Sequence, residues 1–283
     1  MTGATSGIGL EFARALAARG AALVLIGRDP RRTCSVADQL STANKSVCAV
    51  IADLANLDSV RAAALEIAAR HPEIHILVNN AGIWTTRHSS SADGIELTWA
   101  TNVLGHHVLT CALIHRLRSA AAPRIVNVAS TYAGDLDLGD VEFKRRRWSG
   151  IAAYRQSKLA LRMWTWALAV RLEGSGITAN AVHPGGVYTG IYRSPGGLLG
   201  AAIRLYARMT KAAPREGADT LVWVATAPEL QGITGRFWAD RKEITCRHRD
   251  EAALDRLWAL LEAQAARVVG KSAMVSWPNC ARS

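Results

Sequence analysis

The chain reads as one α/β domain built on a doubly wound parallel sheet, the Rossmann arrangement, and three features predict it. Short, near-continuous apolar runs recur along the sequence, as expected for strands buried on both faces. Amphipathic stretches of helical period separate them, which implies right-handed strand-helix-strand crossovers. A glycine-rich turn, Thr2-Gly3-Ala4-Thr5-Ser6-Gly7-Ile8-Gly9, opens the chain just before the first helical pattern. At such a turn, backbone can approach a pyrophosphate seated on the N-terminus of the following helix.

The elements follow in order. Gly9 to Arg19 has helical period and stops at Gly20, a C-terminal cap residue. The strand pattern Ala22 to Ile26 ends at Gly27-Arg28. Val47 to Ile51 is a second strand and Asp58 to Arg70 a second helix, closed by Pro72. Ile74 to Val78 and Arg124 to Val128 flank a helical stretch from Ile95 to Leu117. Ala152 to Leu172, the strand Ile177 to Val182, and helices over Arg215 to Ala227 and Glu251 to Ala266 complete the pattern. One domain over residues 1–266 is expected, with 267–283 as a loose tail lacking periodicity.

Composition narrows the function class. Of the 283 residues 49% are hydrophobic, ample for one large core, yet no apolar run approaches the roughly 18–20 residues that span a bilayer. With no basic-then-apolar leader at the start, a cytoplasmic location is expected. Cys34, Cys48, Cys111, Cys246 and Cys280 are scattered and odd in number, which predicts free thiols. The formal charge of +11 comes mostly from dispersed arginines. Charge is the only argument for nucleic acid, and no recognition motif accompanies it. Lys144-Arg145-Arg146-Arg147 is the densest basic cluster, read as a solvated loop or as an attractor for acidic substrates.

Tyr154-Arg155-Gln156-Ser157-Lys158 carries the chemistry. Residues four apart share a helix face, so Tyr154 and Lys158 point into one site. A phenol of pKa roughly 10 is a poor acid/base near neutrality. A neighbouring ammonium favours the phenolate and makes it usable. Ser130 ends an apolar strand upstream. His183 and the pair His106/His107 invite a metal reading, but no acid or cysteine stands at ligand spacing, so packing or hydrogen bonding is expected and no metal.

Taken together and in this order, Thr2-Gly3-x-x-x-Gly7-Ile8-Gly9, Asp53-Leu54, Asn79-Asn80-Ala81-Gly82, Asn102, Ser130, Tyr154 with Lys158, and Pro184-Gly185 with Thr189 resemble the short-chain dehydrogenase/reductase family over residues 2 to 240. Thr101-Asn102-Val103-Leu104-Gly105-His106 and Tyr154 through Ala160 look like its retinol dehydrogenase-like branch. The resemblance implies hydride exchange between a nicotinamide cofactor and a carbonyl/alcohol pair. Tyr154 would be the general acid/base and Lys158 the ribose ligand and phenolate stabiliser. Ser130 would hydrogen-bond the substrate oxygen, and Asn102 would hold a proton-relay water. Cofactor contacts are implied for Gly3, Ser6, Gly7, Ile8, Gly9, Asp53, Leu54, Asn80, Ala81, Gly82, Tyr154, Lys158, Pro184, Gly185, Val187 and Thr189. Asp53 also suits a helix N-cap.

The Ala22 to Ile26 strand, the family's second, ends at Gly27-Arg28, with Arg32 one helical turn on, where an NAD site wants an acid. Guanidinium groups there suit a 2′-phosphate, so NADP(H) is expected ahead of NAD(H). Specificity segments of the family fall at Thr131 to Ala153 and Tyr188 to Thr210. Trp84, Tyr132, Trp148, Tyr188 and Tyr192 are candidates for an apolar pocket that takes a bulky ketone, aldehyde or alcohol. The family's habit of dimerising through the Tyr-x-x-x-Lys helix makes a homodimer an expectation, with Trp164 and Trp166 as interface or core. The family's central first strand is expected just before Thr2, and Met1 alone stands there. An upstream start is the favoured explanation. A non-catalytic binder that keeps the fold is the rival reading.

Overall fold

The computed structural model describes residues 1–41, 46–185, 214–246 and 248–270. Strands β1 (Leu23–Gly27) and β2 (Val47–Ile51) pair in parallel, with Leu25 opposite Ala49. A second group runs β3 (Ile76–Asn79), β4 (Arg124–Val128), β5 (Thr178–Val182) and β6 (Phe237–Ala239) in parallel, with the short antiparallel β7 (Lys242–Glu243) at its edge.

Met1–Gly3 lies between the two groups, where the central strand belongs. The amide of Thr2 donates to Val78 O at 3.0 Å, that of Gly3 to Ile26 O at 3.1 Å, and that of Ile26 to Met1 O at 2.8 Å. The Met1 amino group donates to Val24 O at 2.7 Å. Met1–Gly3 thus stands in part for the expected central strand: its three residues satisfy backbone groups on both sides and hold the halves in one surface.

Alternation along each strand sends side chains to two cores. Leu25, Val78, Val126 and Val182 face the layer formed by α1 (Gly7–Ala18) and α6 (Pro214–Thr226). Ile26, Leu77, Ile125 and Ala181 face α3 (Leu57–Arg70), α4 (Gly105–Arg118), α5 (Gly150–Arg171) and α7 (Glu251–Val269). Every strand in this middle region is covered on both sides, which is why the apolar runs are continuous.

Five elements depart from the sequence reading. A helix α2 (Pro30–Leu40) follows β1, capped by Asp29, whose carboxylate accepts from the Arg32 amide, with Pro30 in its first turn. The stretch from Ile95 is not one α-helix: a turn at Leu97–Trp99 leads into a π-helical turn, Ala100–Leu104, before α4. The strands β6 and β7 are too short to show a pattern. Helix α7 runs to Val269, three residues into the expected tail; residues 271–283 lie outside the described residues.

Helix α7 packs on the face of α5. Leu257, Leu261 and Ala265 are fully buried there, and Gln264 Oε1 accepts from Trp99 Nε1 at 2.9 Å. Trp164 and Trp166 of α5 lie in this core, so neither is available to a partner subunit. Among the described residues no helix is long and apolar enough to cross a membrane, and Cys34, Cys48, Cys111 and Cys246 are free thiols.

Candidate active site

The C-terminal ends of the strands open onto a cavity of about 1000 Å³. At one end Gly3, Ser6, Gly7, Ile8 and Gly9 form a wall. Gly3 adopts φ of +68°, a conformation suited to glycine. A Cβ on Gly9 would stand 2.2 Å from Gly3 O, so only glycine lets helix α1 start this close to the loop. Ser6 makes no side-chain cap bond, which leaves the first-turn amides facing the cavity.

Thr2 ties this loop to the next. Its hydroxyl oxygen accepts the amides of Asn80 and Ala81, both at 3.0 Å, and Asn80 Nδ2 donates to Thr2 O and Gly3 O. The Thr2 hydroxyl also meets His106 Nε2 at 3.1 Å, while His106 Nδ1 meets Asn102 O at 3.1 Å. A carbonyl only accepts, so Nδ1 carries the hydrogen and Nε2 takes the Thr2 hydroxyl proton. Burial holds this imidazole neutral, its pKa pushed down to about 3.

Asn102 lies in the π-turn and is fully buried. Its Oδ1 accepts the Ile83 amide at 2.8 Å, and its Nδ2 donates to Ile83 O and to Ser157 Oγ, each at 3.0 Å. The residue braces the loop after β3 against α5 and does not border the cavity. π-turns of this kind cluster at functional sites because the extra residue redirects a side chain.

Ser149 caps α5 by accepting from Ala152 N at 3.1 Å, and the helix then carries Tyr154 and Lys158 into the far end of the cavity. The ammonium of Lys158 lies 5.7 Å from the Tyr154 ring centroid and donates to Val128 O at 2.9 Å. Burial without a carboxylate brings its pKa down to about 8. Ser130, two residues beyond Val128, lines the same end and accepts the Tyr132 amide on its Oγ at 3.0 Å. The indole of Trp84 stacks on Tyr154 at 5.7 Å between ring centroids, and Tyr132 stands half-exposed at the mouth. Pro184 and Gly185 close this end; Val187, Thr189 and the Tyr188 to Thr210 segment lie outside the described residues.

Arg28, Arg32, Asp53 and Leu54 line the cavity beside the glycine loop. Arg32 Nε lies 3.6 Å from Asp29 Oδ2, whereas Arg28 is exposed with no carboxylate at ion-pair distance among the described residues. Asp53 is not the cap of α3. Asn56 is, accepting from the Ser59 amide at 2.9 Å, and Asp53 Oδ1 instead accepts from Ala55 N.

Three further expectations change. Trp148 does not line the cavity: it stacks on His88 and donates to Glu96 Oε1 at 3.2 Å. The Lys144 to Arg147 cluster is wound around Asp140, whose carboxylate accepts three successive amides from Lys144, Arg145 and Arg146. Arg146 is further tied to Asp137, Gln156 and the Phe143 ring. It is a folded turn with its own acids rather than a free basic patch. His107 does have partners at ligand spacing: Cys111 one turn on, and Glu262 from α7, all within 4.8 Å. The Trp164 indole, which can only donate, points at His107 Nδ1 from 3.1 Å, so Nε2 carries the hydrogen and gives it to Glu262 at 3.1 Å. Both ring nitrogens serve hydrogen bonds that lock α7 to α4 and α5.

A short chain dehydrogenase family profile matches residues 1–195. The chain belongs to the short-chain dehydrogenase/reductase family. Within it the chain falls in the retinol dehydrogenase-like branch: it is 39% identical to human retinol dehydrogenase 12 over 264 residues, 91% of this chain and 83% of that protein. Identity to mouse polyprenol dehydrogenase is also 39%, over 92% of this chain and 81% of the relative. A short chain dehydrogenase from Burkholderia cenocepacia J2315, solved in complex with NADP, superposes with a TM-score of 0.66 at 31% identity, covering 83% of this chain and 92% of that one. The chain is accordingly an NAD(P)-dependent oxidoreductase acting on CH–OH groups and the corresponding carbonyls.

Lys158 generates a prediction about pH. Its folded pKa lies below the unfolded value of 10.5, so between about 8 and 10.5 the unfolded chain binds the extra proton. Stability from this group therefore rises with pH across that window and is lowest below it. Unfolding titrations of the ligand-free protein should show wild type gaining on Lys158→Met from pH 8 to 10.5, by up to ~3 kcal/mol. Parallel curves would contradict the burial of the ammonium.

Proposed function

We propose that the chain is an NADP(H)-dependent oxidoreductase that interconverts a bulky, mostly apolar alcohol and its aldehyde or ketone, with Tyr154 as general acid/base. The observation that carries this reading is the convergence of Ser130, Tyr154 and Lys158 at one end of a cavity whose other end is the glycine loop. The close approach allowed at Gly3 and Gly9 fits a dinucleotide pyrophosphate. Gly82 lines the cavity next to Lys158, where a Cβ would come within 3.5 Å of Nζ. When bound, the nicotinamide supplies or accepts the hydride.

The residues of this chain do the rest. Tyr154 gives a proton to the carbonyl oxygen during reduction, or takes one from the alcohol during oxidation. The Lys158 ammonium favours the phenolate and lowers the cost of that exchange. The Ser130 hydroxyl donates to the same oxygen, where negative charge grows in the transition state. Asn102 acts through Ile83 and Ser157, keeping the loop after β3 and the Lys158 turn in register.

Arg28 supports NADP(H): an exposed guanidinium without an acid partner at the end of β1 suits a 2′-phosphate. The NADP complex of the Burkholderia relative points the same way. The Trp84–Tyr154 stack and Tyr132 give an apolar aromatic approach to the site, and the relatives named for retinol and polyprenol suggest long apolar alcohols as the first substrates to try.

Tyr154→Phe should cut turnover by about 10²–10⁴-fold in an NADPH-oxidation assay over apolar aldehydes, while NADPH binding changes little. Full activity in that variant would refute the assignment. Arg28→Ala should raise KM for NADPH by about 10–100-fold and leave KM for NADH nearly unchanged; a wild-type KM lower for NADH than for NADPH would sink the cofactor reading.

A further inference from the structure

We propose that Arg162 is a positioning residue for the reaction: its guanidinium clamps the backbone of Ser130 and sets a permanent, buried positive charge behind the reacting oxygens. The inference rests on the reading of Tyr154 as the acid/base. Arg162 follows Lys158 by four positions on α5, so Tyr154, Lys158 and Arg162 form one stripe down a single helix face. It is only 9% exposed. Nε donates to Ser130 O at 2.9 Å, and Nη2 donates to the same oxygen. Nη1 meets Cys246 Sγ at 3.6 Å, and the guanidinium lies over the Phe237 ring, 4.4 Å from its centroid.

None of these partners is an anion. A buried cation without a carboxylate is expensive, and the cost is normally relieved by an acid. Among the described residues no carboxylate lies at ion-pair distance from Arg162; Asp240 acts on the neighbouring His183, which also feels the charges of Arg162 and Lys158. The positive potential is therefore left to act on its surroundings, and the first group it reaches is Ser130. Two donors on one carbonyl oxygen fix the peptide that follows Ser130. The Tyr132 amide fixes the Ser130 hydroxyl oxygen from the other side. The Thr131 amide between them donates to His183 Nδ1 at 3.3 Å. That bond needs a neutral imidazole, and burial first, then the charges of Arg162 and Lys158, keep the His183 pKa low against the pull of Asp240. The stretch 130–132 is thus held at three successive residues, and the arginine supplies both the central clamp and a field that favours phenolate and alkoxide over their protonated forms.

A purely structural clamp and a charged one differ in pH dependence. Alcohol oxidation requires the phenolate, so kcat/KM rises with pH, and its midpoint reports the acid/base group. With NADP⁺ and a long-chain apolar alcohol as probes, R162M should lower kcat by about 10–100-fold, leave KM for NADP⁺ almost unchanged, and move the midpoint upward by about one pH unit. R162K, which keeps the charge, should keep the wild-type midpoint and recover part of kcat. Circular-dichroism melts check folding. If R162M loses its cooperative melt, R162Q, which can still donate to Ser130 but carries no charge, should show the same upward shift. An unmoved midpoint in the neutral variant, or equal shifts in R162K and the neutral variant, would overturn the inference. Absence of turnover in wild type, or its survival in Tyr154→Phe, would instead overturn the functional reading on which the inference rests.

Discussion

The hydrogen bond from Lys158 Nζ to Val128 O pins helix α5 across the end of strand β4, and the rest of the site is arranged around that crossing. It sets the height at which Tyr154 emerges, one turn earlier on the helix, relative to Ser130, two residues later on the strand. The bond is short of ideal for the ammonium, which has a single carbonyl where water would offer several partners, and its lowered pKa records that cost. A site that keeps a cation in this condition is one prepared to receive hydroxyl groups and developing negative charge.

Around the crossing, polar side chains transmit position rather than chemistry. The Thr2 hydroxyl joins the glycine loop, the loop after β3 and His106; His106 passes the constraint to the Asn102 carbonyl; the Asn102 amide reaches Ile83 and Ser157, next to Lys158. A continuous chain of hydrogen bonds thereby connects the glycine-loop end of the cavity to the Tyr154 end. His106, Asn102 and Ser157 are fully buried, so loss of a partner there would strand a buried donor or acceptor, at about 1–3 kcal/mol each. Met1–Gly3 contributes to this chain as much as to the sheet, because its four backbone bonds place the Thr2 hydroxyl.

The layer order and the catalytic face were legible in the residues because both depend on local periodicity. Val47–Ile51 and Arg124–Val128 are strands with the limits their apolar runs suggest, and Tyr154 and Lys158 share a face because four-residue spacing on a helix leaves little choice. What was not legible depends on contacts distant in sequence. Helix α2 is mainly polar, and only its Asp29-Pro30 start announces it. The π-turn at Asn102 answers to Ile83 and Ser157, and the His107 network to a helix more than 150 residues away. Trp148 had the same composition-level claim on the pocket as Trp84, yet Glu96 and His88 draw it elsewhere. Arg162 looks like an ordinary helix arginine until Ser130, Phe237 and Cys246 are seen to surround it.

The central claim is that the packing of α5 on β4 converts an ordinary phenol into an acid/base competent near neutrality. Titration of Tyr154 by NMR of protein carrying ¹³C-labelled tyrosine in its NADP⁺ complex, with the resonance assigned from Tyr154→Phe, tests it most directly. The account predicts a midpoint at least one unit below the roughly 10 of a free tyrosine, returning toward that value when Lys158 is replaced by Met. A midpoint at or above 10 in the wild-type complex would contradict it.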